Sequence, residues 1–194
     1  MMRRTRTGVL VLAAVTAAAA VLFLPASSGA GEVAGVKMPD TISVEGKTLK
    51  LNGMGLRTKV IFKVYVVGLY LETPSRDPAA VISSDQVKSI RMSYLREVAG
   101  AKISETIAEG FERNSKAQMA VLKSRLNMHA TMIPLVVKGD EVALTYVPGK
   151  GTVVIAKGVE KGVIEGKDFA DALFSVWLGA NPAQDDLKKA LLGG

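Results

Sequence analysis

Arg57 and Tyr65 are the two residues of this chain whose types and spacing most suggest recognition chemistry. Arg57 stands beside Gly53 and Gly55, which allow close backbone approach next to it. An apolar run follows, in which even positions (Val60, Phe62, Val64, Val66) and odd positions (Ile61, Val67, Leu69, Leu71) are both largely apolar. Alternation at period two should give one apolar and one wet face, so two apolar faces predict one long strand over roughly 59–72, buried on both sides. Lys63 and Tyr65 are the few polar groups set into its odd face. A guanidinium holds a carboxylate through two parallel donors, and a phenol supplies a third. A cation at the mouth of an apolar wall with a phenol inside it suits a ligand with an oil-like body and one anionic end.

Other candidates for chemistry are weaker. His129 is the only histidine, so a Ser–His–Asp apparatus would have to use it and a metal site could draw one imidazole alone. It reads as a residue at a helix end. Gly149-Lys-Gly-Thr152 lacks the upstream glycine of a phosphate loop and opens a strand, so it reads as a hairpin turn. Asp185-Asp186 sits among mixed charges and reads as a solvated helix face. No metal and no cofactor is expected.

Residues 1–30 are set apart from the fold. Arg3, Arg4 and Arg6 precede a run without charge from Gly8 to Leu24, and Ser28 and Ala30 are small residues placed for cleavage after Ala30. That is the pattern of a secretory signal peptide, which predicts a periplasmic or secreted protein. The alternative is an inner-membrane anchor formed by residues 8–24; the expected membrane contact is through this segment alone. The domain is then residues 31–194, long enough for a single core. Three arginines leave with the leader, lowering the formal charge from +7 to +4. The lysines are scattered, and Tyr65, Tyr70 and Tyr94 are the aromatic residues expected in first-half strands other than Phe62, so neither a basic stripe nor a stacking platform for nucleic acid is visible. The chain has no cysteine, which excludes thiol catalysis, thiolate metal sites and a lipoprotein anchor.

The elements that must position Arg57 and Tyr65 follow from period changes. Residues 31–40 read as a connector. Thr41–Val44 and Thr48–Leu51 form a hairpin around Glu45-Gly46-Lys47, and Ser89–Leu95 is a strand with Ile90, Met92 and Tyr94 on one face. Residues 79–83 form a short helical turn. Ser104 is placed to cap a helix whose Ile103, Ile107 and Phe111 share a stripe, and helix continues to about 128 with a break at Asn114-Ser115. Met132–Val137, Val142–Val147 and Thr152–Ala156 read as a three-stranded meander, and 158–166 as a turn region. Asp168 is placed to cap a helix carrying Phe169, Leu173 and Trp177, and Asn181-Pro182-Ala-Gln184 has the pattern of a capping box opening a last helix. The fold class is α+β, an antiparallel sheet with helices packed on one side.

Taken in order, these segments resemble the chalcone isomerase-like family, specifically its bacterial exported branch. The resemblance is carried by Gly55-Leu-Arg57 leading into Lys63-Val-Tyr-Val-Val-Gly-Leu-Tyr-Leu-Glu72, by Ile103-Ser-Glu-Thr-Ile-Ala-Glu109, by Gly151-Thr-Val-Val-Ile155, and by the run from Ile164 to Gly179 with Asn181-Pro182. It implies an open-faced β-sandwich, a large antiparallel sheet and a helical layer enclosing a ligand cleft. In the plant enzymes that cyclise chalcones, an arginine, a threonine, a tyrosine and an asparagine do the work. Arg57 matches the arginine, Tyr65 falls at the threonine, Ile103 at the tyrosine and Gly110 near the asparagine. Ile103 cannot donate to a developing enolate, so the pattern argues against that reaction. The non-catalytic branch of the fold includes fatty-acid-binding proteins with an arginine and a tyrosine on the carboxylate. The resemblance thus implies a periplasmic binder of a fatty acid or similar apolar carboxylate, with Arg57 and Tyr65 as head-group ligands and Phe62, Ile103, Phe111, Leu173 and Trp177 as cleft wall. The alternatives are an isomerase (intramolecular lyase) that uses Arg57 on an unknown substrate, and an envelope structural protein with a vestigial cleft.

Overall fold

A computed structural model describes residues 31–194; the leader and anchor expectations on residues 1–30 lie outside the described residues. The period-two segments join into one seven-stranded antiparallel sheet in strict chain order. A two-stranded hairpin, β1 (Gly31–Val33) and β2 (Val36–Met38), precedes it where a connector was expected. The sheet itself comprises β3 (Thr41–Val44), β4 (Lys47–Lys59), β5 (Phe62–Leu71), β6 (Lys88–Tyr94), β7 (Glu141–Val147), β8 (Gly151–Ala156) and β9 (Val159–Ile164). Between β5 and β6 lies α1 (Pro78–Ser83), and between β6 and β7 lie α2 (Gly100–Ser115) and α3 (Met119–Met132). After β9 come α4 (Lys167–Leu178) and α5 (Asp185–Leu191). This is the chalcone isomerase-like architecture, with the helices packed on one side of the sheet. Among the described residues no helix is long and apolar enough to cross a membrane.

The main core lies between the helices and one sheet face, where Tyr65, Val67, Leu69 and Leu71 of β5 meet Ile90, Met92 and Tyr94 of β6 and the apolar stripes of α2 and α4. A smaller cluster of Ile42, Leu49, Tyr70 and Val87 covers the other face at the β3–β5 end, so β5 is buried on both sides from Tyr65 onward. The Tyr70 hydroxyl donates to Pro39 O at 2.9 Å there, tying the incoming chain to the sheet.

Several boundaries differ from the sequence expectations, each for a physical reason. The strand expected over 59–72 is β5 and starts later, at Phe62, because β4 runs from Lys47 through Lys59 and the chain reverses at Val60 and Ile61. Met132–Val137 is no strand of the sheet. Met132 ends α3, Pro134 has no N–H to donate, and β7 already has β6 and β8 on its two edges, so residue 136 makes only an isolated bridge to Val98. The expected turn region instead supplies β9, an edge strand whose exposed Val159, Glu160 and Lys161 gave no alternation to read. Ser104 is not a cap, because α2 begins at Gly100 a turn earlier and leaves the Ser104 hydroxyl buried without a partner. Asp168 lies inside the first turn of α4 and binds Arg125 through both oxygens, at 2.7 and 2.6 Å.

Two basic side chains among the described residues, Lys88 and His129, are fully buried. Lys88 is fully buried, and its ammonium donates to Val81, Ile82 and Ser84 carbonyls at 3.0, 2.5 and 3.1 Å, closing the C-terminal end of α1. Burial lowers its pKa to about 8, against the pull of Asp171 at 3.6 Å. His129 is fully buried in α3 near Phe169, and neither ring nitrogen has a hydrogen-bond partner among the described residues. It does not line the cavity that holds Arg57 and Tyr65.

Burial lowers the His129 pKa to about 4, so the unfolded chain takes up a proton below about 6.5 that the folded chain refuses. The stability this neutral residue permits is complete above pH 6.5 and is lost as pH falls towards 4, by on the order of 3 kcal/mol. Urea titrations across that window should show this slope in the native sequence and a flatter one in His129→Leu. A second expectation concerns the α2–α4 crossing: a Cβ on Gly110 would lie 2.8 Å from both methyls of Val176. Gly110→Ala should therefore lower the melting temperature, because overpacking costs about 1–3 kcal/mol and exceeds the gain in helix propensity of about 1 kcal/mol.

Candidate functional site

Arg57 and Tyr65 are direct cross-strand partners in the β4–β5 ladder. The ladder slips by one residue immediately after Arg57, between Arg57 and Thr58, and such bulges re-aim side chains. Behind Arg57, α5 lies across β4. It approaches this closely because Gly53 and Gly55 carry no side chains: a Cβ on Gly53 would meet Ala190 O at 2.1 Å, and one on Gly55 would meet Leu187 Cδ1 at 2.7 Å. The backbone that the two glycines admit is thus the protein's own helix.

That helix brings in a residue the sequence reading assigned elsewhere. Gln184 is the N-cap residue of α5, yet its side chain makes no cap bond. Its Oε1 accepts from Thr58 N at 3.0 Å and from Arg57 Nη1 at 3.2 Å, while its Nε2 donates to Leu56 O at 3.3 Å. Arg57 Nη1 also donates to Thr58 O. One nitrogen of the guanidinium is therefore fixed by the protein, and among the described residues no carboxylate pairs with Arg57. The asparagine-led capping pattern of Asn181 to Gln184 hid this role, since glutamine three residues on is ordinary in a capping box.

Tyr65 is buried, packed edge-on against Tyr94 with centroids 5.5 Å apart. Its oxygen accepts from Trp177 Nε1 at 3.1 Å. Burial raises the phenol pKa, while the Trp177 bond and the nearby Arg57 charge pull the other way. The phenol is protonated at neutral pH, and its proton has no acceptor among the described residues. The indole thus occupies the oxygen and leaves the O–H free for a ligand.

Both residues open onto a cavity of about 470 Å³ between the sheet and α2, within the range of small-molecule sites. Its wall is apolar, with Val64, Met92, Val98, Ile103, Ile107 and Val176 among the residues that form it. Arg57, Lys59, Arg96 and Lys102 supply positive charge and Glu97 the one carboxylate of its lining. Of the residues expected on the cleft wall, Phe62, Ile103 and Trp177 line it. Phe111 and Leu173 do not; both are fully buried in the α2–α4 core, Phe111 with its ring 5.4 Å from Phe169. Lys63 is exposed and lies outside the lining. The residues missed were Gln184, Tyr94, Arg96 and Lys102, which stand on neighbouring elements and carry no local signal. Among the described residues, no three His, Cys, Asp or Glu side chains are placed to share a metal ion.

The fixing of Arg57 by a neutral amide yields an expected outcome. Gln184→Glu would set a carboxylate against the guanidinium and occupy it from within, at the cost of the bond to Leu56 O, so affinity for an anionic apolar ligand should fall by about tenfold and the melting temperature only slightly. A fluorescence displacement titration, with a thermal melt of the same variant, checks both halves.

No curated protein sequence matches the chain significantly. Among solved structures, the fold is similar to that of a fatty-acid-binding protein from Arabidopsis thaliana, with a TM-score of 0.65 at 15% identity, covering 81% of this chain and 92% of that one. A family model described as chalcone isomerase-like matches residues 30–193, and the chain belongs to that family.

Proposed function

We propose that this protein is an exported, non-catalytic binder of a fatty acid or similar apolar carboxylate. The observation that carries the reading is the apolar cavity with Arg57 and the unclaimed proton of Tyr65 paired across adjacent strands. An alkyl body fills the apolar wall, and the carboxylate accepts from the guanidinium and the phenol together. The fatty-acid binding named for the structural neighbour supports the same class of ligand. The charge-free run of residues 8–24 and the small residues up to Ala30 support export to the periplasm.

The alternatives lose support at particular residues. The chalcone-cyclising arrangement loses support because Ile103 and Gly110, at the places of its tyrosine and asparagine, carry no donor for a developing enolate. A vestigial cleft would be filled by side chains, and this one is open.

Native mass spectrometry of protein purified from the periplasm should show a co-purifying lipid mass that is lost in Arg57→Ala/Tyr65→Phe. With an added long-chain fatty acid, Arg57→Ala alone should weaken binding by about ten- to a hundredfold, the worth of one charge-assisted contact. A ligand-free mass under gentle conditions, together with no measurable binding of added fatty acid, would sink the proposal. Turnover of chalcones or enones that disappears in Arg57→Ala would favour the isomerase instead.

A further inference from the structure

The hairpin joining β4 and β5 turns on two residues that a turn rarely contains. Val60 is 91% exposed and Ile61 83%, and Phe62, the next residue, is 52% exposed. Val60 has φ +58°, a conformation that β-branched residues seldom adopt. Two-residue hairpins with positive φ at this first position normally place glycine there. Neither burial nor backbone preference therefore accounts for the sequence of the tip. Its conformation is strained, and three contiguous apolar side chains face solvent.

The surrounding charge is predominantly positive. Lys59 precedes the tip, Lys63 follows it, and the Arg96 guanidinium lies 4.5 Å from the centre of the Phe62 ring. None of these three cations is in an ion pair among the described residues. Glu105, which feels Lys59, is held by Lys102 at 2.5 Å, leaving Glu97 as the neighbouring acid of the cavity mouth. An apolar tip between cations is the pattern of an interfacial anchor, whose side chains enter the headgroup boundary while lysines meet anionic phosphates. A protein partner fits less well, because three side chains fall far short of the roughly 20–30 residues a side of a stable interface. The tip is also the rim of the cavity, with Lys59, Val60 and Phe62 all in its lining.

We propose that the β4–β5 hairpin tip, Val60–Phe62 with Lys59, Lys63 and Arg96 around it, docks on an anionic lipid surface and sets the cavity mouth against the bilayer. Contact with a membrane is then a property of the folded domain and not of residues 8–24 alone, as the sequence reading had it. The docking does not depend on what the cavity holds. If the cavity holds a fatty acid, the ligand passes between bilayer and wall without crossing water.

The absence of cysteine permits one environment-sensitive fluorophore at a chosen position of the full chain. It is placed at Ile61→Cys, and for comparison at Val121→Cys, which is 64% exposed on α3, the helix that packs on β8 and β9 away from β4. With vesicles of equimolar phosphatidylcholine and phosphatidylglycerol, the label at 61 should shift to the blue and be quenched by bilayer-borne quenchers; the label at 121 should not. Residues 1–30 are common to both chains, so attachment through them alone would not separate the two positions. Lys59→Gln and Lys63→Gln should each weaken binding by about fivefold. Val60→Gly should keep or raise thermal stability yet weaken insertion by about tenfold, an opposition that a merely structural role would not produce. An unshifted label at 61, an equal shift at 121, or a shift produced without lipid by raising protein concentration would each overturn the proposal. The vesicles contain no free fatty acid, so these outcomes are independent of the ligand reading.

Discussion

The ladder between β4 and β5 sets the position of Arg57 and Tyr65 in the cavity and of the turn at its rim. Cross-strand partners hold their Cβ atoms about 4.5–5.5 Å apart, so pairing Arg57 with Tyr65 brings a cation and a phenol within reach of one small anionic group. A slip of one residue would turn Tyr65 to the opposite face and remove it from the cavity. The slip is opposed from both sides. Tyr65, Val67, Leu69 and Leu71 are locked into the main core, while Tyr70 is locked into the smaller cluster beneath the sheet. The same ladder places its closing turn at the cavity rim.

A second layer of positioning comes from α5. Glycine at 53 and 55 lets this short helix rest directly on strand backbone, and the resulting depth places the Gln184 amide on Arg57 and Thr58. From the same helical layer, the α4 stripe delivers Trp177 to the Tyr65 oxygen. Arg57 and Tyr65 are thus both oriented by neutral partners, an amide and an indole. The apolar wall keeps the local dielectric low, which strengthens any charge-assisted contact made there.

Much of this arrangement was legible in the sequence, and the gaps have identifiable causes. Alternation gave β6 with its inner face of Ile90, Met92 and Tyr94 and gave β7 and β8 as strands, and four-residue spacing gave Ile103, Ile107 and Phe111 and the α4 stripe of Phe169, Leu173 and Trp177. The class and the helix-on-sheet layering followed from these. The β4–β5 turn was invisible because its residues, Val60 and Ile61, have strand chemistry and no turn chemistry. Conversely, 132–137 has strand composition, but the places beside β7 were already taken, which only the whole sheet reveals. Phe111 and Leu173 share their stripes with Ile103, Ile107 and Trp177, and periodicity tells which face is buried without telling which end of that face borders a cavity. Gln184 lies 127 residues from Arg57 in sequence, beyond the reach of any local pattern.

Trp177 is the chain's single tryptophan, and it stands in the cavity wall with its indole N–H on the Tyr65 oxygen. Indole emission responds to the polarity and hydrogen bonding around the ring. Every photon the protein emits from tryptophan therefore originates at the boundary between the phenol and the empty volume. Filling that volume, wetting it, or drawing the phenol proton towards a ligand all alter the same chromophore. The fold thus carries its own optical gauge of occupancy, requiring no label and undiluted by signal from elsewhere in the chain.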